Sequence, residues 1–101
     1  MGGANMYTVV RQYSGQGVSQ LVDVLESKKD EVERLIRGVP GFVSYTLLRT
    51  SDGGITVTVC QDKAGADASV RIAADWVRQN APVATNPPVI SEGNTILHFN
   101  K

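Results

Sequence analysis

Charge of one sign is the first thing the chain lacks. Ten Lys and Arg offset ten Asp and Glu, leaving a formal net charge of zero. A neutral chain has no long-range pull on nucleic acid or an anionic membrane, so neither is expected as a partner. Lys28 and Lys29 are followed at once by Asp30 and Glu31, the pattern of a solvated helix face. Cysteine is nearly absent too. Cys60 stands alone and cannot close an internal disulfide. His98 is the single imidazole, and without a second His or a paired Cys no metal site is expected. No apolar run approaches the ~20 residues of a membrane span, and none near the start has the length of a secretion leader. A soluble cytoplasmic protein is expected. The glycines spell no dinucleotide or phosphate loop, and no Gly-x-Ser-x-Gly occurs. Nicotinamide, flavin and nucleotide chemistry therefore have no support, and no cofactor is expected.

What the chain does have is a central hairpin. Residues 39–60 read as two strands joined by Ser51-Asp52-Gly53-Gly54 and entered through Pro40-Gly41. Asp-Gly and Gly-Gly supply the positive φ angles of tight turns. Phe42–Thr50 and Ile55–Gln61 are the strands. In the first, alternation puts Phe42, Ser44, Thr46 and Leu48 on one face and Val43, Tyr45, Leu47 and Arg49 on the other. In the second, Ile55, Val57 and Val59 are aliphatic, while Thr56, Thr58 and Cys60 are small and mildly polar.

A strand and a helix flank the hairpin on each side. Met6–Tyr13 is rich in β-branched and aromatic residues. Val18–Arg37 carries Val18, Leu21, Val22, Leu25, Val32, Leu35 and Ile36 on one helical stripe, and Gly38 and Pro40 end it. Asp67–Asn80 reads as a second helix with Val70, Ala73, Ala74 and Val77 inward and Trp76 at the edge. Gly93-Asn94 reads as a turn and Thr95–Phe99 as the last strand. Residues 1–5 are expected to be a disordered tail, and residues 6–99 a single domain.

This order, βαββαβ, predicts an α+β ferredoxin-like fold: an antiparallel four-stranded sheet with two helices on one face. Which face the helices take is open, since a slip of one residue exchanges the sets. Either choice leaves apolar groups uncovered. Exposed apolar area of that extent marks an interface, and a homodimer with two sheets face to face would cover it.

The run VPGFVSYTLLRTSDGG, with AADWVRQNA and PPVISEGNTILHF after it, resembles the dimeric α+β barrel superfamily. Within it, the chain is similar to uncharacterised bacterial proteins related to the antibiotic-biosynthesis-monooxygenase domain. The resemblance spans Met6–Phe99. It implies a homodimer and a cofactor-independent monooxygenase acting on a small aromatic or quinol-like compound. The alternative is a non-catalytic dimeric module binding a small apolar ligand. A protein of the first kind must orient its substrate and stabilise an oxyanion. Residue types suited to that make His98, Trp76 and Arg49 the catalytic candidates, and Tyr7, Arg11 and Tyr45 the substrate-binding ones. The competing reading makes the tyrosines and Trp76 core or interface residues, His98 structural, and the arginines partners of acids across a dimer. The haem-degrading branch of the superfamily uses an Asn in the first strand, a Trp ending the third and a His in the second helix. Here the first strand has no Asn, the third ends in Cys60 and the helix has no His.

Overall fold

The computed structural model describes residues 6–101; the expected tail at 1–5 lies outside them. The elements are β1 (Tyr7–Ser14), α1 (Val18–Ser27), α2 (Lys29–Arg37), β2 (Phe42–Thr50), β3 (Gly53–Cys60), α3 (Lys63–Asn80) and β4 (Val89–Asn94). The sheet order is β2-β3-β1-β4, every pair antiparallel. This is the expected ferredoxin-like sheet, with the helices packed on one face.

Pairing fixes which residues meet the helices. Arg11 lies opposite Thr56, Val9 opposite Thr58 and Tyr45 opposite Thr58. Val9, Arg11, Tyr13, Thr56, Thr58 and Cys60 are all buried. The small, mildly polar face of β3 is thus the covered one. Ile55 and Val57, with Val10 and Leu48 beside them, stand on the uncovered face. Two apolar clusters lie beneath the helices. One gathers Tyr13, Val18, Leu21, Leu25, Ile36 and Trp76; the other gathers Val9, Val39, Cys60 and Ala66.

Several local expectations need correction, among them the turn and the inner face of the second helix: Gly53 and Gly54 belong to β3 without positive φ, and Trp76 is buried while Ala74 is exposed. The helix expected over 18–37 breaks at Lys28, whose φ of −109° leaves the helical region. Three and four residues past Leu25 the inward stripe meets Lys28 and Lys29. A straight helix would turn both lysines toward the core, and the break leaves both exposed. In β2, strict alternation fails at Val43. A bulge between Phe42 and Ser44 lets Phe42 pack against the same cluster as Tyr45 and Leu47. The second helix starts earlier than expected, at Lys63. Asp62 caps it by accepting from the Gly65 backbone N–H at 2.9 Å. A side chain at Gly65 would collide with the Pro40 carbonyl, so glycine permits this close approach.

The last strand is displaced. Val89–Asn94 pairs with β1, and Thr95–Phe99 is not a strand. The reason is register: Asn94 already lies opposite Tyr7, the first residue of β1. One more bond follows, from Thr95 N–H to the Met6 carbonyl at 2.8 Å. Beyond it the segment has no strand to pair with, and Ile96, Leu97 and Phe99 are 89%, 78% and 84% exposed.

Candidate functional site

Burying a guanidinium costs on the order of several kcal/mol unless a counter-charge and hydrogen bonds offset it. Arg11 is 2% exposed. Its Nε donates to Thr56 Oγ1 at 2.9 Å, and its Nη1 points to the Ser69 carbonyl at 3.4 Å. Both acceptors are neutral. Thr56 is Arg11's direct cross-strand neighbour, so the first bond follows from register. Ser69 faces the sheet from α3, fully buried, with its hydroxyl donating to the Ala66 carbonyl. Farther along the same covered face, the Thr58 hydroxyl has no partner among the described residues.

Around Arg11 closes a chamber of about 20 Å³, room for one water. Tyr13, Tyr45, Thr56 and Trp76 wall it together with aliphatic residues of the helices. Burial pushes the phenols of Tyr13 and Tyr45 above their usual range, and the Arg11 charge opposes the shift at both. At neutral pH both hydroxyls are therefore neutral groups that can donate, not bases. Trp76 Nε1 donates to Glu31 Oε2 at 2.9 Å and ties α3 to α2.

Outside the chamber a groove of about 320 Å³ runs between the first two helices and β2. Leu25, Val32 and Tyr45 line both spaces, so they form the partition. The helix break lies in sequence between Leu25 and Val32. Lys28 Nζ donates to Asn80 Oδ1 at 3.1 Å, linking that break to the end of α3. Arg49 stands in the groove wall and pairs with Asp23 at 2.8 Å and Glu26 at 3.5 Å, all partly exposed.

Of the six residues singled out from sequence, Arg11, Tyr45 and Trp76 meet in the chamber, and Arg49 stands outside it. Tyr7 does not join them. It packs in the second apolar cluster, with Lys63 Nζ 5.9 Å from its ring centre. His98 lines neither space; its Nε2 is enclosed and has no partner among the described residues. Sequence reasoning passed over Tyr13 and Thr56. Tyr13 was within reach, since it shares a strand face with Arg11 at a spacing of two. Thr56 needed the register of β1 on β3. Cys60 is fully buried, and burial, with Asp62 nearby, pushes its thiol up; that disfavours a thiolate nucleophile.

No family model matches the chain, and none of the curated proteins does. Solved structures do. The chain has the fold of the antibiotic-biosynthesis-monooxygenase-like proteins. A protein of unknown function from Nitrosomonas europaea superposes with a TM-score of 0.69 at 21% identity, over 100% of this chain and 98% of that one. A monooxygenase of Streptomyces coelicolor, in complex with nanaomycin D, gives 0.57 at 21% identity, over 98% and 94%. A haem-degrading protein of Mycobacterium tuberculosis gives 0.63 at 16% identity, over 97% and 99%. Likeness at this level establishes architecture and leaves activity open. The residues present do not fit a haem. The one imidazole lies outside both spaces, and among the described residues no three His, Cys, Asp or Glu are grouped to hold a metal. No described helix is long and apolar enough to cross a membrane.

Proposed function

We propose that the chain is a cofactor-independent monooxygenase acting on a small aromatic or quinol-like compound held between sheet and helices. The observation that carries this reading is the convergence of Arg11, Tyr45 and Trp76 on one small cavity between sheet and helices. Arg11 supplies a fixed positive charge for the oxyanion of an ionised phenol or quinol, in a dry setting where such a charge acts strongly. Tyr45 and Tyr13 offer hydroxyl donors, Trp76 a flat wall, and Arg49 a charge at the mouth. In an anthrone-type substrate, whose enol form is the phenol, the ionised ring gives electrons to dioxygen at the ring's methylene carbon. One oxygen atom ends as the new carbonyl, and the other leaves as water with the two displaced hydrogens. Entry requires the partition of Leu25, Val32 and Tyr45 to part, and the break at Lys28 is the natural pivot.

The working form is a homodimer. Val10, Leu48, Ile55 and Val57 leave an apolar sheet face uncovered, and Ile96–Phe99 continues past the end of β1 as an apolar segment without a partner strand. A second copy covers the first and pairs the second. In this arrangement His98 and Tyr7 serve structure or subunit contact rather than proton transfer.

Oxygen uptake with a panel of anthrones and quinols tests the proposal. Turnover is expected, and Arg11→Gln is expected to lower it by about a hundredfold or more, as loss of one oxyanion donor does. No uptake across the panel would favour a second reading, a non-catalytic module for a small apolar ligand. That reading draws on the aliphatic walls and on the absence of any residue lining the chamber with the character of a base.

A further inference from the structure

Among the described residues lining the chamber there is one full charge, Arg11, and no counter-charge. None of the ion pairs among the described residues includes Arg11, and residues 1–5 contain no acid. The groups that face its guanidinium are a threonine hydroxyl, a backbone carbonyl and two phenols. At the groove outside, Asp23, Glu26 and Glu33 offset Lys29, Arg37 and Arg49. The outer charges cancel, and the deciding charge is the inner one.

We infer that the natural ligand is an aromatic acid that arrives as a monoanion, with its carboxylate on Arg11 and its ring across Leu25, Val32 and Tyr45 in the groove. The inference rests on the cleft being a small-molecule site, as proposed above, and adds the ligand's charge: a carboxylate that the ligand carries on arrival. A guanidinium matches a carboxylate with two parallel N–H donors. Nε and one Nη1 hydrogen are engaged and a further N–H bonds the Tyr45 hydroxyl, so the carboxylate takes the remaining N–H groups and displaces Tyr45. The chamber as it stands seats one water-sized group. The second carboxylate oxygen takes its place when the partition of Leu25, Val32 and Tyr45 parts, and the groove beyond has room for the ring.

Trp76 makes the test direct. It is the only tryptophan and lines the chamber, so its emission reports occupancy. The native full-length protein is titrated with hydrocinnamate and, separately, with the neutral isostere hydrocinnamamide. Hydrocinnamate is expected to shift Trp76 emission with an affinity higher by about tenfold or more. Arg11→Met is expected to abolish the difference and Arg11→Lys to keep part of it. If Arg11→Met does not fold, the comparison on the native protein decides. Equal binding of acid and amide would overturn the inference while leaving the cleft reading intact. Quinol turnover without any hydrocinnamate binding would overturn it too. If neither compound binds and no quinol is turned over, both readings fall.

Discussion

Along β3, neighbouring residues meet opposite surroundings. Thr56 and Thr58 lie beneath the helices at 2% and 0% exposure, while Ile55 and Val57 stand on the uncovered face, only half-buried. Hydropathy alone would have placed them the other way round. The covered face holds Arg11, whose Nε needs the Thr56 hydroxyl, and it lies under a helix of small residues whose Ser69 also serves Arg11. The uncovered face carries the aliphatic groups that the proposed second copy would cover. The proposed function thus assigns chemistry to one side of the sheet and assembly to the other.

The contrast is broken most severely from the covered side. Leu21 is fully buried, and Leu21→Ala is expected to cost about 2–5 kcal/mol in chemical denaturation. Leu48→Ala on the open face should cost less than about 1 kcal/mol to the fold and instead weaken association, visible as a greater dependence of stability on protein concentration. Adjacent positions sharpen the comparison. Thr56→Val strands a buried donor of Arg11 and should cost about 1–3 kcal/mol, against about 0.5 kcal/mol or less for Val57→Thr.

Alkaline pH separates the faces in another way. Tyr13 and Tyr45 have raised values in the folded chain, so from the ordinary value of 10.0 upward the folded state holds protons that the unfolded state has lost. Their contribution is complete below that pH and is lost as pH rises through the folded values. Tyr45→Phe is expected to flatten the fall in stability above pH 10.0, relative to the parent protein, in denaturation series at several pH values. The smallest effect belongs to the exposed pair at the groove. Asp23→Asn removes a partner of Arg49 and should change stability by about 0.5 kcal/mol or less, a difference that fades with added salt.

The broad arrangement was legible because turns and periodicity carry it. The hairpin turns where it was expected, at Ser51-Asp52, although Gly53 and Gly54 are paired strand residues without positive φ, and Val18 to Leu25 marks a helix on any account. What escaped depends on partners distant in sequence. The break at Lys28 reflects which residues would have been forced inward. The bulge at Val43 cannot be told from alternation, because the neighbouring residues suit either face. Thr95–Phe99 alternates as a strand should, yet β1 ends before it can be paired. The site was half legible for the same reason. Arg11 stands out as an unusual strand residue and Tyr45 as a ring with a hydroxyl donor, but their meeting with Trp76 depends on the register of three strands and the seating of α3. Tyr7, equally plausible from its type, is held elsewhere by the same register.

Sedimentation velocity of the native protein at micromolar concentration, beside a Val57→Lys variant, bears most directly on the division between the faces. The expected result is a species of two chains for the native protein and one folded chain for the variant, each with the emission of a buried Trp76. A stable, folded single chain for the native protein at every concentration would contradict it.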